Sequence, residues 1–228
     1  MKHSLVILFL LITSAIFAQN ESSLSSDRPG QALSSNLVDN TVFQIQPGVD
    51  FLNTFDVFLL NSYFRYGITS SMELNSGIAY TAQNGNNELS AFSLGSRIRL
   101  NKVESRFSSA LQLSINLPID NLEFGSQAIY TLSSNFTEKL NWTVNLGANF
   151  DENFDAIGLY VFNITYAYNE NFGIFVEPFG QFDNALSLSF DTGFYYLVHN
   201  NFQLDFQIGD NEGLFLGAGF TYRFLPKK

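Results

Sequence analysis

The most constraining feature of this sequence is an alternation of apolar and polar residues with a period of two. Near the carboxyl end, every second residue is apolar, namely Leu214, Leu216, Ala218, Phe220, Tyr222 and Phe224. The residues between them are mostly small or polar, such as Gly217, Thr221 and Arg223. Successive side chains of a β-strand point to opposite faces, so this pattern predicts a strand with one apolar face.

The alternation recurs about twelve times along the chain. Short clusters of Asn, Asp and Gly, which favour tight turns, separate the repeats. The predicted strands lie near 41–51, 56–66, 71–81, 89–100, 106–117, 124–134, 139–150, 155–169, 171–182, 186–198, 201–209 and 213–224. Because the connections are short, neighbouring strands are expected to pair antiparallel. We therefore predict an all-β fold, an antiparallel up-and-down transmembrane β-barrel of about 12 strands with short turns, over residues 41–228.

Composition excludes several other classes. The 228 residues are 46% hydrophobic and 16% aromatic, which is wrong for a disordered chain. A net charge of −10 argues against a nucleic-acid partner, which needs a clustered basic face. The absence of Cys excludes a disulfide scaffold and thiolate metal sites.

Residues 1–18 have the organisation of a secretory signal peptide. Lys2 precedes an apolar run that starts at Leu5, and small residues lead to a predicted cleavage after Ala18. An uncleaved anchor is the alternative, although the run is short for a membrane helix. Residues 19–40 are then expected to form a periplasmic N-terminal extension.

Alternation alone does not say which face of the barrel is apolar. A secreted lipocalin-like barrel hides its apolar face, whereas an outer-membrane barrel turns it toward outer-membrane lipid. Strands of about 10 to 12 residues match a tilted membrane crossing. Aromatic residues near the predicted strand ends resemble interfacial girdles. They are Tyr66, Tyr80, Phe150, Tyr168, Phe172 and Phe182. These features favour the outer membrane of a Gram-negative cell.

The last predicted strand also carries a possible assembly motif. Gly219, Tyr222 and Phe224 follow the glycine-x-x-aromatic-x-aromatic pattern of the final strand of outer-membrane proteins. That pattern implies recognition by the barrel-assembly machinery. The alternative is an ordinary amphipathic strand.

Several motifs, taken in order, resemble one family. They are Asp27-Arg28-Pro29, the strand VFQIQPGVDF, Arg65-Tyr66-Gly67 with Glu73, the glycine-centred strand Ser93–Leu100, Leu117-Pro118, Phe175-Val176-Glu177, and a closing hairpin with Asp191, Gly193, Leu204 and Asp205. Together they are similar to the outer-membrane β-barrel transporter family, which is also labelled the meta-pathway of phenol degradation family. The resemblance covers nearly the whole chain after the signal peptide. It implies an outer-membrane barrel that transports, and nothing in the residues points to phenol.

Charged residues fall on the polar face of the predicted strands. They are Arg65, Glu73, Arg97, Arg99, Glu177, Asp191 and Asp205. A lipid-facing charge is unfavourable near the midplane, by about 2–4 kcal/mol for Arg or Lys, so these side chains should point into the lumen. One hypothesis is a charged constriction that selects permeants. The alternative is a set of buried salt bridges that fills and stiffens a narrow barrel.

The segment before the first strand is polar and contains Asp27, Arg28 and Pro29. It could fold back into the lumen as a small latch. The alternative is that it simply leads into the barrel.

Nothing in the sequence favours an enzyme. A barrel hydrolase needs a histidine base or a comparable group, and His3 is expected to leave with the signal peptide. His199 falls in a predicted turn, with no serine nucleophile placed beside it. No spacing indicates a metal site, and no cofactor is predicted.

Three function classes follow. The first is a passive channel for small molecules through a polar, charge-lined lumen, with apolar or aromatic permeants suggested by Phe175 and Phe179 on the predicted inner face. The second is a non-conducting structural barrel of the outer membrane. The third is a secreted lipocalin-like binder.

Overall fold

The computed structural model describes residues 24–52, 56–83, 85–102, 105–117 and 123–225. Within these ranges the chain forms twelve strands. They are β1 (Phe43–Leu52), β2 (Val57–Thr69), β3 (Met72–Gln83), β4 (Asn86–Arg99), β5 (Ser108–Asn116), β6 (Gly125–Asn135), β7 (Leu140–Phe150), β8 (Ala156–Ala167), β9 (Phe172–Phe182), β10 (Ser189–His199), β11 (Phe202–Asp210) and β12 (Leu214–Phe224). The prediction of a twelve-stranded all-β fold is confirmed. The predicted signal peptide and Pro118 lie outside the described residues.

The strands form one closed barrel. Each pairs antiparallel with its neighbours in the chain, and β1 pairs with β12 to complete the ring. Closure removes the free edges of the sheet, which is a condition for a wall surrounded by lipid. We call the rim where β1 begins and β12 ends the terminal rim, and the opposite rim the distal rim.

The barrel is apolar outside and polar inside. Leu60, Leu146 and Phe190 point outward and are each about half exposed. Gln44 and Thr131 point inward and are buried. A lipocalin-like barrel has the opposite arrangement, so the structure supports the membrane alternative. Among the described residues, no helix is long and apolar enough to cross a membrane.

Aromatic side chains form a band outside the barrel near the terminal rim. The rings of Phe43 and Phe224 lie 5.7 Å apart, and those of Tyr222 and Phe224 lie 4.8 Å apart. Phe202 and Phe220 continue the band at 5.8 Å. Rings at this position are typical of the membrane interface. Four of the predicted girdle residues are also exposed, namely Tyr66, Tyr80, Tyr168 and Phe182.

The seam between β1 and β12 has a gap in its pairing. The register passes from Ile45↔Tyr222 directly to Gly48↔Gly219. Pro47 lies in the gap, and proline has no N–H to donate to the ladder. The ring is therefore closed by a locally weakened seam.

Candidate functional site

Residues 24–39, which precede β1, lie inside the barrel, and we call them the lumen segment. Sequence analysis predicts that residues 19–40 form a periplasmic extension and offers a lumen latch as one hypothesis for its polar part, and residues 24–39 contact the inner wall. The segment is a loop whose two limbs are bonded to each other. The Ser25 hydroxyl lies 3.0 Å from the Ser34 hydroxyl and donates to the Asn36 carbonyl at 2.9 Å. The chain then reverses at Thr41, which has a φ of 63°, to enter β1.

The tip of the lumen segment reaches the middle of the barrel. The N–H of Gly30 donates to Oε1 of Gln207 on β11 at 2.6 Å. On the other side, the N–H of Leu33 donates to Oδ1 of Asn145 on β7 at 2.8 Å. The loop thus bonds to two strands that lie four apart in the ring.

Arg65 and Glu73 form a buried ion pair on neighbouring strands. Nε and Nη2 of Arg65 donate to the two Glu73 oxygens at 2.8 and 2.9 Å. Both side chains are fully buried. The lumen segment supplies further hydrogen-bond partners to both side chains. Arg65 also donates to the Ser25 and Asn36 carbonyls. Glu73 accepts the N–H of Val38 at 2.7 Å. The pair therefore forms part of the binding surface for the segment.

Arg97 binds Asp27 of the lumen segment with both of its terminal nitrogens. Nη1 and Nη2 each lie 2.9 Å from one Asp27 oxygen. Arg65 lies 3.4 Å from the same carboxylate. Burial alone would raise the pKa of Asp27, but the charges of Arg65 and Arg97, together with hydrogen bonds from Arg97 and from the N–H of Ser34, hold this pKa below its ordinary value of 3.8. Asp27 is therefore ionised at neutral pH.

Arg28 points toward the seam between β1 and β12. Its Nε lies 3.1 Å from Oδ1 of Asp205 on β11, and its Nη1 donates to Oδ1 of Asn61 on β2 at 3.0 Å. Gly48 and Gly219 make the space for its guanidinium. A Cβ on Gly48 would lie 2.2 Å from Nη1 of Arg28, and one on Gly219 would lie 2.5 Å from Nη2. The seam thus contains a notch that only glycine permits.

Glu177 and Asp191 are register partners on β9 and β10. Glu177 accepts the N–H groups of Gln31 and Ala32, the latter at 3.2 Å, and the side-chain amide of Asn163 at 2.9 Å. Asp191 accepts one long bond of 3.5 Å from Nε2 of Gln31. The backbone at the tip of the segment therefore satisfies a buried carboxylate.

Other predicted residues lie outside this network. Arg99 is half-buried, and its Nε has no hydrogen-bond partner among the described residues. Pro29 follows a cis peptide bond and lines a cavity beside the segment. Tyr222 and Phe224 belong to the outer aromatic band, whereas Gly219 faces the lumen. Their role as an assembly motif stays a prediction.

Most wall charges are divided between two sides of the lumen, and the exception is Arg223 of β12, which lies 3.5 Å from Asp39 of the segment. Arg65, Glu73 and Arg97 lie on β2, β3 and β4. The acidic side chains lie on β1 and β9–β11, namely Asp50, Glu177, Asp191 and Asp205. Asp27 meets the arginine half and Arg28 meets the acidic half. The consecutive residues Asp27 and Arg28 therefore each contact wall side chains of the opposite charge.

Cavities lie on both sides of the lumen segment. One of about 520 Å³ lies toward the terminal rim, beside Arg106 and Trp142. Two of about 410 and 650 Å³ lie toward the distal rim. Arg28 and Leu33 line both the terminal cavity and the 410 Å³ cavity. The segment thus stands between the two ends of the lumen.

Sequence analysis missed several uncharged residues of this site. Gln112 accepts two bonds from Arg97, at 2.9 and 2.6 Å. Asn61 joins Arg28 to Asp50, which it contacts at 2.7 Å. Their position on the polar face of a strand was the available indication, but it does not distinguish them from other amides of the wall.

The fold and lumen define a class, the twelve-stranded closed barrels with a polar interior. The family described as "Putative MetA-pathway of phenol degradation" matches residues 26–224. The chain belongs to this family. No curated protein matches it.

Solved structures with a similar fold include three channels. The KdgM porin has a TM-score of 0.66 at 14% identity, over 80% of this chain and 99% of the porin. An outer membrane channel from Pseudomonas putida F1 has a TM-score of 0.67 at 9% identity, over 86% and 99%. The NanC porin has a TM-score of 0.57 at 9% identity, over 79% and 98%. At these identities the similarity shows the fold alone.

Proposed function

We propose that this protein is an outer-membrane channel for small molecules whose lumen is closed by its own amino-terminal segment. The observation that carries the proposal is the position of residues 24–39 across the lumen, between cavities that open toward opposite rims. In this state the segment blocks passage. When it leaves, the polar wall encloses a path.

The outer surface supports a membrane location. An apolar face with an aromatic band matches outer-membrane lipid and its interface. Outer-membrane channels with the same fold agree with this location. In this environment the barrel-assembly machinery would insert the chain after export and cleavage of the signal peptide.

The permeant is a small molecule that tolerates a polar passage. One similar porin structure is described as a complex with disordered oligogalacturonate. The wall of the present barrel has acidic side chains on β1 and β9–β11, which disfavour polyanions. Phe175 and Phe179 are buried on the inner face and offer limited apolar contact.

The segment is held by interactions that can be broken without unfolding the wall. Asp27 and Arg28 contact the barrel through side-chain ion pairs. Gly30 and Leu33 donate to wall side chains, not to the strand ladder. Release therefore leaves the pairing of the twelve strands intact.

Deletion of residues 20–35 tests the proposal. We expect single-channel conductance in planar bilayers and liposome swelling rates to rise at least several-fold over the full chain. A second variant, Asp27→Ala with Arg28→Ala, keeps the chain length and should show the same direction. Its matched control is Glu138→Ala with Lys139→Ala, which also removes one acid and one base. These two residues are adjacent in an exposed turn at the terminal rim. Unchanged conductance in both segment variants would refute the latch.

A non-conducting structural barrel is the second candidate. The buried, hydrogen-bonded network of Arg65, Glu73, Arg97 and Asp27 favours it, because such a network also stiffens a narrow barrel. This candidate predicts no solute flux in any variant. Liposome swelling by the deletion variant distinguishes the two.

A further inference from the structure

The acidic half of the lumen contains a site that already holds an organic cation. The guanidinium of Arg28 lies against Asp205, with Nε and Nη2 each 3.1 Å from Oδ1. Nη1 binds Asn61, which in turn donates to Asp50 at 2.7 Å. A carboxylate and a polarised amide therefore surround one planar cation.

The shape of the site fits that cation. Gly48 and Gly219 face each other across the seam, and a Cβ on either would lie within 2.5 Å of the guanidinium. Asp205 comes from β11 and Asn61 from β2, on either side of this notch. The pocket is thus built by the wall, whereas its occupant comes from the lumen segment.

The occupant does not satisfy the site completely. Oδ2 of Asp205 is buried and has no hydrogen-bond partner among the described residues. Asp205 itself is 5% exposed. Buried carboxylate oxygens without donors are unfavourable, so the site has capacity for further N–H groups.

We propose that the acidic half of the lumen is a binding site for small organic cations that carry a guanidinium or primary ammonium group, and that Arg28 occupies it in the closed state. The proposal rests on the proposed function, because the site becomes available when the segment leaves. On β9–β12 and β1, the four acidic side chains Asp50, Glu177, Asp191 and Asp205 outnumber the inward Arg223, so this side of the open path favours cations. Arg28 acts as an internal competitor of the permeant.

The first test uses the channel opened by deletion of residues 20–35. Under a KCl gradient, we expect a reversal potential that shows preference for K⁺ over Cl⁻, and block by millimolar methylguanidinium. Asp205→Asn should weaken this block by roughly tenfold, a factor that corresponds to about 1.4 kcal/mol. Asp183→Asn, which removes an exposed acid near the distal rim, is the matched control and should leave the block unchanged.

The outcomes separate this proposal from the latch. An open channel without cation preference, or one whose block does not depend on Asp205, overturns the cation site and leaves the latch standing. A deletion variant that does not conduct refutes the latch. In that case the site is tested in the full chain, where methylguanidinium should raise the unfolding temperature of Arg28→Ala but not that of Arg28→Ala with Asp205→Asn. Equal shifts in these two variants overturn the site.

Discussion

Gly48 of β1 and Gly219 of β12 are register partners at the seam that closes the barrel, and the guanidinium of Arg28 lies against both. The seam is also where Pro47 interrupts the strand pairing. Ser26 contacts the same region, since its hydroxyl lies 2.7 Å from that of Thr221. The lumen segment therefore covers a gap in the strand pairing of the wall.

A side chain at the glycine notch should loosen the segment without unfolding the barrel. Gly48→Ala places a Cβ 2.2 Å from Nη1 of Arg28, which is the flexible end of a side chain and can move. The displaced Arg28 loses charged hydrogen bonds worth about 1.5–3 kcal/mol. We expect higher open probability in bilayer recordings with little change in thermal stability. Gly125→Ala is the control, because its nearest contacts are 3.2 and 3.4 Å and involve no segment residue; equal effects of both variants would contradict the prediction.

Arg97→Ala and Arg99→Ala should differ sharply. Arg97 is buried and binds both oxygens of Asp27. Breaking a buried ion pair of this kind costs about 3–5 kcal/mol, an upper figure here because Arg65 stays within 3.4 Å of Asp27. The Nε of Arg99 has no hydrogen-bond partner among the described residues. Single-channel conductance should therefore rise for Arg97→Ala and stay near the wild-type value for Arg99→Ala, and a reversed order would reject the assignment of Arg97.

The segment should leave the lumen at acid pH. The pKa of Asp27 is lower in the folded protein than its ordinary value of 3.8. Because the pKa of Asp27 is lower in the folded protein, its ion pairs stabilise the docked state fully at a pH above the pKa of a free Asp. This stabilisation is lost as the pH falls through the lower pKa of the folded state. Docking through Asp27 is thus complete at pH 5–7 and decreases below about pH 4.

Bilayer recordings across this pH range measure the effect. The wild-type protein should conduct more as the pH drops below about 4. Asp27→Asn has no such charge to lose, so its conductance should already be higher at pH 7 and should change less on acidification. An identical pH dependence in the two proteins would show that another group controls the opening.

Restoring an N–H at the seam should strengthen the barrel. Pro47→Val allows one more ladder bond between β1 and β12, worth about 0.5–1.5 kcal/mol. We expect a higher temperature for heat-induced unfolding on denaturing gels. Pro178→Val is the comparison, because the pairing of β8 with β9 also has a gap beside that proline, between Val161↔Phe179 and Ile164↔Val176. No rise in either variant would mean that the missing N–H does not limit stability.

The sequence predicted the fold well because the period of two is a local property. The predicted strand 171–182 corresponds to Phe172–Phe182, and 139–150 to Leu140–Phe150. The predicted strand 56–66 was too short, since β2 continues to Thr69. A register shift between Gly67 and Thr69 accompanies this extension. The alternation of apolar and polar residues does not indicate such shifts.

The site was harder to predict because its contacts join distant parts of the chain. The polar face indicated that Arg97 would point inward. The neighbouring sequence did not indicate that its partner would be Asp27, which lies seventy residues away in the chain. Asn61 and Gln207 lie on polar faces like many amides that do not contact the segment. Only the closed ring brings β2, β11 and the lumen segment to one place.

The path of the lumen segment through the barrel also determines how fast the lumen can be unblocked. Leu24 and Asn40 both lie at the terminal rim, so the loop enters and leaves by the same opening. Residues 24–39 can therefore withdraw without being threaded between strands. Exchange between the blocked and unblocked forms then requires only that the segment unbinds from the inner wall. Its kinetics should resemble those of a tethered ligand and not those of refolding.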